Sequence, residues 1–114
     1  MTECLFCKIA AGDLAANVAY RDDWVLAFHD INPQAPVHVL VIPVRHISSL
    51  LDLQPADQEL LWRLHAAAAR LARELGIAER GFRVVVNTNR EAGQSVPHLH
   101  LHLLGGRPMH WPPG

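Results

Sequence analysis

The chain has 114 residues, half of them hydrophobic, and a formal net charge of −1, which suffices for one compact core and leaves no room for a second. Acidic and basic residues are interspersed, so no extended basic footprint serves a nucleic acid polymer or an anionic membrane, and phosphate recognition must be local. The apolar runs stop well short of the ~20 residues that span a bilayer, and the first residues lack a basic start followed by an apolar signal core, so the expected location is the cytoplasm.

In chain order, the first feature is the Cys-x-x-Cys pair Cys4 and Cys7, the only cysteines. Two are too few to staple a secreted fold, which leaves reduced thiols or a metal clip as the readings. Val18 to Arg21 and Trp24 to His29 read as strands one and two, joined at Asp22 and Asp23 by a tight hairpin connection. Asn32, Pro33 and Pro36 punctuate a loop over Ile31 to Pro36, and the β-branched run Val37 to Val44 predicts strand three, ending near Pro43.

From Pro55 to Leu75 the residues Leu60, Leu61, Leu64, Ala67, Ala68, Leu71 and Leu75 recur at spacings of three and four, which predicts one long helix. Pro55 suits its first turn, Asp57 and Glu59 complement the positive end of its dipole, and Gly76 suits a left-handed stop. Phe82 to Thr88 reads as strand four. After a polar loop, Asn89 to Pro97, the alternating segment His98 to Leu104 reads as strand five, with Gly105 and Gly106 ending it. Strands in succession with one helix between the third and fourth predict a single α+β domain over 1–114 with a five-stranded, mainly antiparallel sheet.

Eight histidines are the largest departure in the composition. On a strand, His98, His100 and His102 share one face while Leu99, Leu101 and Leu103 share the other, and burial of the leucines against the helix fixes that register. Imidazole is neutral, nucleophilic and readily protonated near neutral pH. Three in register supply an attacking group, a hydrogen-bond donor for phosphate oxygens and a ring that holds the attacker in one tautomer; Ser95, just upstream, is placed to serve a departing group. Imidazoles at this spacing are also good zinc ligands, and spacing alone does not decide between the two chemistries. His29, His65 and His110 read as surface or packing residues.

His98 through Leu104 matches His-φ-His-φ-His-φ-φ, φ being apolar, and on this motif the chain resembles the histidine triad (HIT) family, in particular its Hint branch. The likeness extends through Phe28-His29-Asp30-Ile31-Asn32-Pro33-Gln34-Ala35-Pro36, Val39-Leu40-Val41-Ile42-Pro43, Gly93-Gln94-Ser95-Val96 and Gly105 to Gly114. The resemblance implies a HIT-like fold with an additional short N-terminal helix, and a purine nucleoside phosphoramidase acting on AMP or GMP derivatives. His100 would attack the α-phosphorus to form a nucleotidyl-histidine that water hydrolyses, with nucleoside monophosphate and amine as products. It further implies that His102 contacts the phosphate and that His38 and His98 complete the polar network. Ser95 with the backbone of Gly93 and Gln94 would surround the phosphate and leaving group, with Asn87 nearby. Asp30 would accept from ribose hydroxyls, and Leu5, Phe6, Ile9, Ile31 and Leu40 would form an apolar slot for the base.

Some bacterial relatives hold a structural zinc with positions that match Cys4, Cys7, His46 and His98, and the resemblance implies that catalysis itself requires no cofactor. Where the family carries an aromatic residue before the first histidine this chain has Pro97, which bears on the path from Ser95 into the triad. The Hint branch also implies a homodimer, which the small size of the chain would favour. In it strand four pairs across a two-fold axis and the tail, with Trp111, reaches the partner's cleft. Dinucleoside polyphosphate hydrolysis and nucleotidyl transfer would use the same nucleophile, and a nucleotide-responsive interaction protein is the non-enzymatic alternative. A zinc hydrolase using the triad as ligands is disfavoured because no Asp follows His102 closely.

Overall fold

The computed structural model describes residues 4–114. A short helix α1 (Leu5–Ala10) is followed by strands β1 (Val18–Arg21), β2 (Val25–His29) and β3 (Val37–Pro43), the long helix α2 (Gln58–Glu74), and strands β4 (Phe82–Val86) and β5 (Leu101–Gly105). The five strands form one sheet in the order β1-β2-β3-β5-β4, and every neighbouring pair is antiparallel. No helix among the described residues is long and apolar enough to cross a membrane.

Local chemistry accounts for the joints. The Asp22 carboxylate accepts from the backbone N–H groups of Trp24 and Val25 at 2.7 and 2.8 Å, closing the predicted hairpin with an Asx turn. Ahead of α2, Pro55–Asp57 forms a turn of 3-10 helix rather than the first α-turn, closed by the Gln54 N–H donating to the Asp57 carboxylate at 2.8 Å and the Asp57 N–H donating to the Gln54 carbonyl at 2.8 Å. At the other end, Gly76 takes φ +78° and stops the helix as expected.

Side-chain alternation divides the sheet into two faces. Val25, Ala27, Val39, Val41, Leu101 and Leu103 turn to α2 and pack on its Leu60, Leu64, Ala67, Ala68, Leu71 and Ala72. Leu101 and Leu103 are essentially fully buried, and truncating either to alanine should cost ~2–5 kcal/mol. Leu26, Phe28, Leu40 and Ile42 form the opposite face, covered by Phe6 and Ala10 of α1. The histidines lie on this second face. In the β3–β5 ladder Leu40 stands opposite His102 and His38 opposite Leu104, so His38 and His102 meet diagonally.

Strand five is shorter than predicted: His98, Leu99 and His100 precede the ladder, which begins at Leu101. The cause lies in β3. Continuing the pairing would set Leu99 against Pro43, which has no N–H, and whose carbonyl already accepts from the His98 ring at 2.9 Å. Leu99 N–H turns instead to the Ile47 carbonyl at 2.6 Å. The alternation of side chains nevertheless persists, with Leu99 in the α2 core. For the same reason β4 ends at Val86 rather than Thr88: beyond the Val86–Leu101 pair it has no strand beside it. Strand two begins at Val25 rather than Trp24.

Candidate active site

Four of the predicted histidines converge where α1, β3 and β5 meet, and their hydrogen bonds assign a tautomer to each. The His98 carbonyl can only accept, so the His100 Nδ1 lying 2.7 Å from it carries the proton and Nε2 keeps its lone pair. His98 donates from Nε2 to the Pro43 carbonyl, which leaves its Nδ1 as a lone pair. On β3, the Gln34 backbone N–H donates to His38 Nδ1 at 3.0 Å, so the His38 proton resides on Nε2. From there it is donated to His102 Nδ1 at 2.9 Å, and the His102 proton is left on Nε2. The arrangement therefore holds one free imidazole nucleophile, at His100, beside an imidazole donor, at His102, with ring centroids 4.9 Å apart.

Burial favours the neutral form of His38, His98 and His102. His102 is pushed down to about 4, first by burial and then by His100 and His38. Burial likewise lowers His38, against the opposing pull of the Asp30 carboxylate, which lies 3.4 Å from its Nε2. Asp30, His38 and His102 present their donor atoms within 4.8 Å of one another, as a metal site would. The short His38–His102 bond, however, directs those two nitrogens at each other rather than at a common point, so the cluster reads as a proton-ordered relay.

A second cluster adjoins the first. Cys4, Cys7, His46 and His98 bring four donor atoms within 4.8 Å of one another. His98 Nδ1 lies 3.3 Å from Cys4 Sγ, 3.5 Å from Cys7 Sγ and 3.3 Å from His46 Nδ1, and Cys7 Sγ lies 3.1 Å from His46 Nδ1. Zinc bond lengths give a regular tetrahedron with edges of about 3.3 Å between nitrogens and about 3.5 Å between sulfur and nitrogen, so the donor set fits such an ion. Its proton balance fits as well: the two Nδ1 atoms face one another, and burial together with Cys4 pushes the Cys7 thiol up to about 11, a penalty on the thiolate that a cation would remove.

The remaining predicted residues divide. Phe6 stands edge-on to the His100 ring, with centroids 5.1 Å apart, and Leu40 is buried beside it with Ile9 packed alongside. Leu5 is partly exposed and Ile31 wholly so. The backbone N–H groups of Gly93 and Gln94 are engaged within their own loop, with Arg90 and Asn89 carbonyls. The Gln94 side chain braces that loop through the carbonyls of Ser48 and Val96. Ser95 is exposed and Asn87 half-buried. Trp111 is largely exposed; the tail is held instead by Arg83, which donates to the His110 carbonyl at 2.9 Å. His65 and His110 are exposed and His29 is half-buried at the end of β2. Sequence reasoning missed four backbone groups that set the site, the Gln34 N–H and the carbonyls of Pro43, Ile47 and His98, because a main-chain donor or acceptor leaves no side-chain signature.

A family model described as HIT domain matches residues 11–109. The chain is 49% identical over 112 residues to an uncharacterised HIT-like protein of Synechocystis, a match covering 98% of this chain and 97% of that one. It is 46% identical over 107 residues to the purine nucleoside phosphoramidase of Escherichia coli K12, covering 94% and 90%. Among solved structures, a HIT family hydrolase from Legionella pneumophila superposes with a TM-score of 0.97 at 52% identity, over 98% of this chain and 100% of that one. A histidine triad protein from Clostridium difficile superposes at 0.93 with 41% identity, over 96% of each. With a matched motif, a matched architecture and relatives near half-identical along almost their whole length, this chain belongs to the histidine triad family.

Proposed function

We propose that the protein is a hydrolase of purine nucleoside phosphoramidates, a single HIT domain in which His100 Nε2 attacks the α-phosphorus, displaces the amine and carries a nucleotidyl group until water removes it. The observation that supports this reading is the tautomer order: His100 holds its proton on Nδ1, against the His98 carbonyl, and keeps the lone pair on Nε2. In the attack the Nε2 lone pair forms the N–P bond as the P–N bond to the amine breaks, and the amine nitrogen takes up a proton that reaches it from solvent through the Ser95 hydroxyl; water then forms a P–O bond as the His100 N–P bond breaks, returns the lone pair to Nε2 and gives its proton back to solvent. Ser95 is assigned to that side. His102 Nε2–H donates to a non-bridging oxygen, and His38, ordered by Gln34, holds His102 in that tautomer. Asp30 accepts from the ribose, and Phe6, Ile9 and Leu40, with Leu5 and Ile31 on the rim, flank the base. The similarity to the E. coli phosphoramidase supports the substrate class.

Cys4, Cys7, His46 and His98 are proposed to hold a structural zinc, which would neutralise two thiolates and join α1 to the sheet. Neither His100 nor His102 is assigned to it, so no metal is required at the reacting phosphorus. The protein is further proposed to be a cytoplasmic homodimer. In the assay that tests the reading, zinc-loaded protein turns over adenosine 5′-phosphoramidate, and His100→Ala lowers the rate at least about a thousandfold while remaining folded by circular dichroism. Near-normal turnover by that variant would remove His100 from its role.

A further inference from the structure

The segment that carries the nucleophile is not held by the sheet. His98 to His100 lie before the β5 ladder. It is tied instead by Leu99 N–H to the carbonyl of Ile47, in the loop after β3, at 2.6 Å and by the His98 ring to the Pro43 carbonyl at the end of β3 at 2.9 Å. The four-residue cluster spans this gap. Two of its members, His46 and His98, immediately precede Ile47 and Leu99, the residues joined by that backbone bond. The other two, Cys4 and Cys7, flank Phe6, whose ring edge meets the fully buried His98 at 6.0 Å and His100 at 5.1 Å between centroids. His98 thus belongs to both sites: its ring faces the cluster, and its own carbonyl receives the His100 Nδ1 proton at 2.7 Å.

We propose that Cys4, Cys7 and His46 are positioning residues for the nucleophile, acting through His98, so that closing the metal clip sets the tautomer and the aim of His100. The inference rests on the reading of His100 as nucleophile and of the cluster as a zinc clip. A residue pinned at ring Nδ1 and Nε2 has little freedom left to rotate its peptide carbonyl. Opening the clip leaves that carbonyl held through the Pro43 and Ile47 bonds and the His98 N–H to Val96 carbonyl bond at 2.8 Å, with the ring's Nδ1 anchor lost, and the His100 proton is then free to distribute between its two nitrogens. An imidazole protonated at Nε2 has no lone pair there for phosphorus. Activity should therefore respond to zinc supply and to the state of the two thiols, although neither touches substrate.

The test compares full-length protein loaded with zinc, the same protein after metal extraction by a chelator under reducing conditions, and Cys7→Ser. Ring-nitrogen NMR reads the His100 tautomer, its signals identified by their loss in His100→Gln. Turnover of adenosine 5′-phosphoramidate is measured below the unfolding temperature, with the folded fraction taken from circular dichroism. The expected result is a single Nδ1-protonated His100 in the loaded protein and a tautomer mixture after extraction. With it, kcat should fall about tenfold or more while KM changes by less than about twofold. Zinc should restore wild type and not Cys7→Ser. If extraction lowers thermal stability but leaves tautomer and kcat unchanged, the clip is merely structural and the proposal is overturned. Failure of the wild type to take up zinc would refute the clip and the proposal together. If the loaded wild type does not hydrolyse the phosphoramidate, the substrate reading fails while the tautomer comparison still decides this one.

Discussion

Single hydrogen bonds decide the chemistry of this site. Three histidines at alternate positions could serve as a nucleophilic set or as ligands; what separates the roles is which ring nitrogen faces a carbonyl, which faces a backbone N–H and which faces a thiol. His98 turns its lone pair to the cysteines, His100 keeps its own free, and His102 receives a proton at Nδ1. The low pKa of His102, about 4, predicts a pH dependence. An unfolded histidine titrates near about 6.5, so as pH falls from about 6.5 to about 4 the unfolded chain takes up a proton that the native protein refuses. Stability is then full above that window and declines through it, and burial of His38 acts in the same direction. The urea midpoint should be lower at pH 5 than at pH 7, and His102→Gln should narrow the difference. Equal midpoints at the two pH values would contradict the buried, neutral state of His102.

At the scale of elements, the sequence was most legible where a side-chain pattern repeats. The periodicity over Pro55 to Leu75 placed α2 to within a turn, and the Asp22–Asp23 hairpin, the β3 run and the leucine face of strand five all hold. The misplaced ends of β4 and β5 share one origin, the capture of the Pro43 carbonyl by a side chain, which no periodicity encodes. Likewise, the resemblance named Cys4, Cys7, His46 and His98, but His46 lies outside every strand and helix, so no alternation could have aimed it at the cysteines. Packing between elements yields a further prediction at the close of β5. A Cβ added at Gly105 would come within 2.5 Å of Ile77 Cδ1 and 3.0 Å of its Cβ, and Ile77 is buried under the end of α2. Gly105→Ala should therefore destabilise the protein by ~1–3 kcal/mol through overpacking, read as a shift of the denaturation midpoint. A midpoint unchanged from wild type would show that this corner is looser than its packing implies.

For the whole molecule, the sheet order leaves β4 paired on one side only, with Phe82 at its start 39% exposed. An unprotected edge invites pairing, and a two-fold axis beside β4 would join two such sheets. Sedimentation at micromolar concentration should give a dimer. A monomer would exclude that assembly and with it a role for Trp111, 83% exposed in its own subunit, in a partner's cleft.

The covalent step itself can be seen directly. Zinc-loaded protein mixed with adenosine 5′-phosphoramidate, quenched within a single turnover and digested, should show by mass spectrometry an adenylyl group on the peptide containing His100, localised to that residue and absent from His100→Gln. Undiminished turnover with no label on His100, or a label on another side chain, would contradict the account.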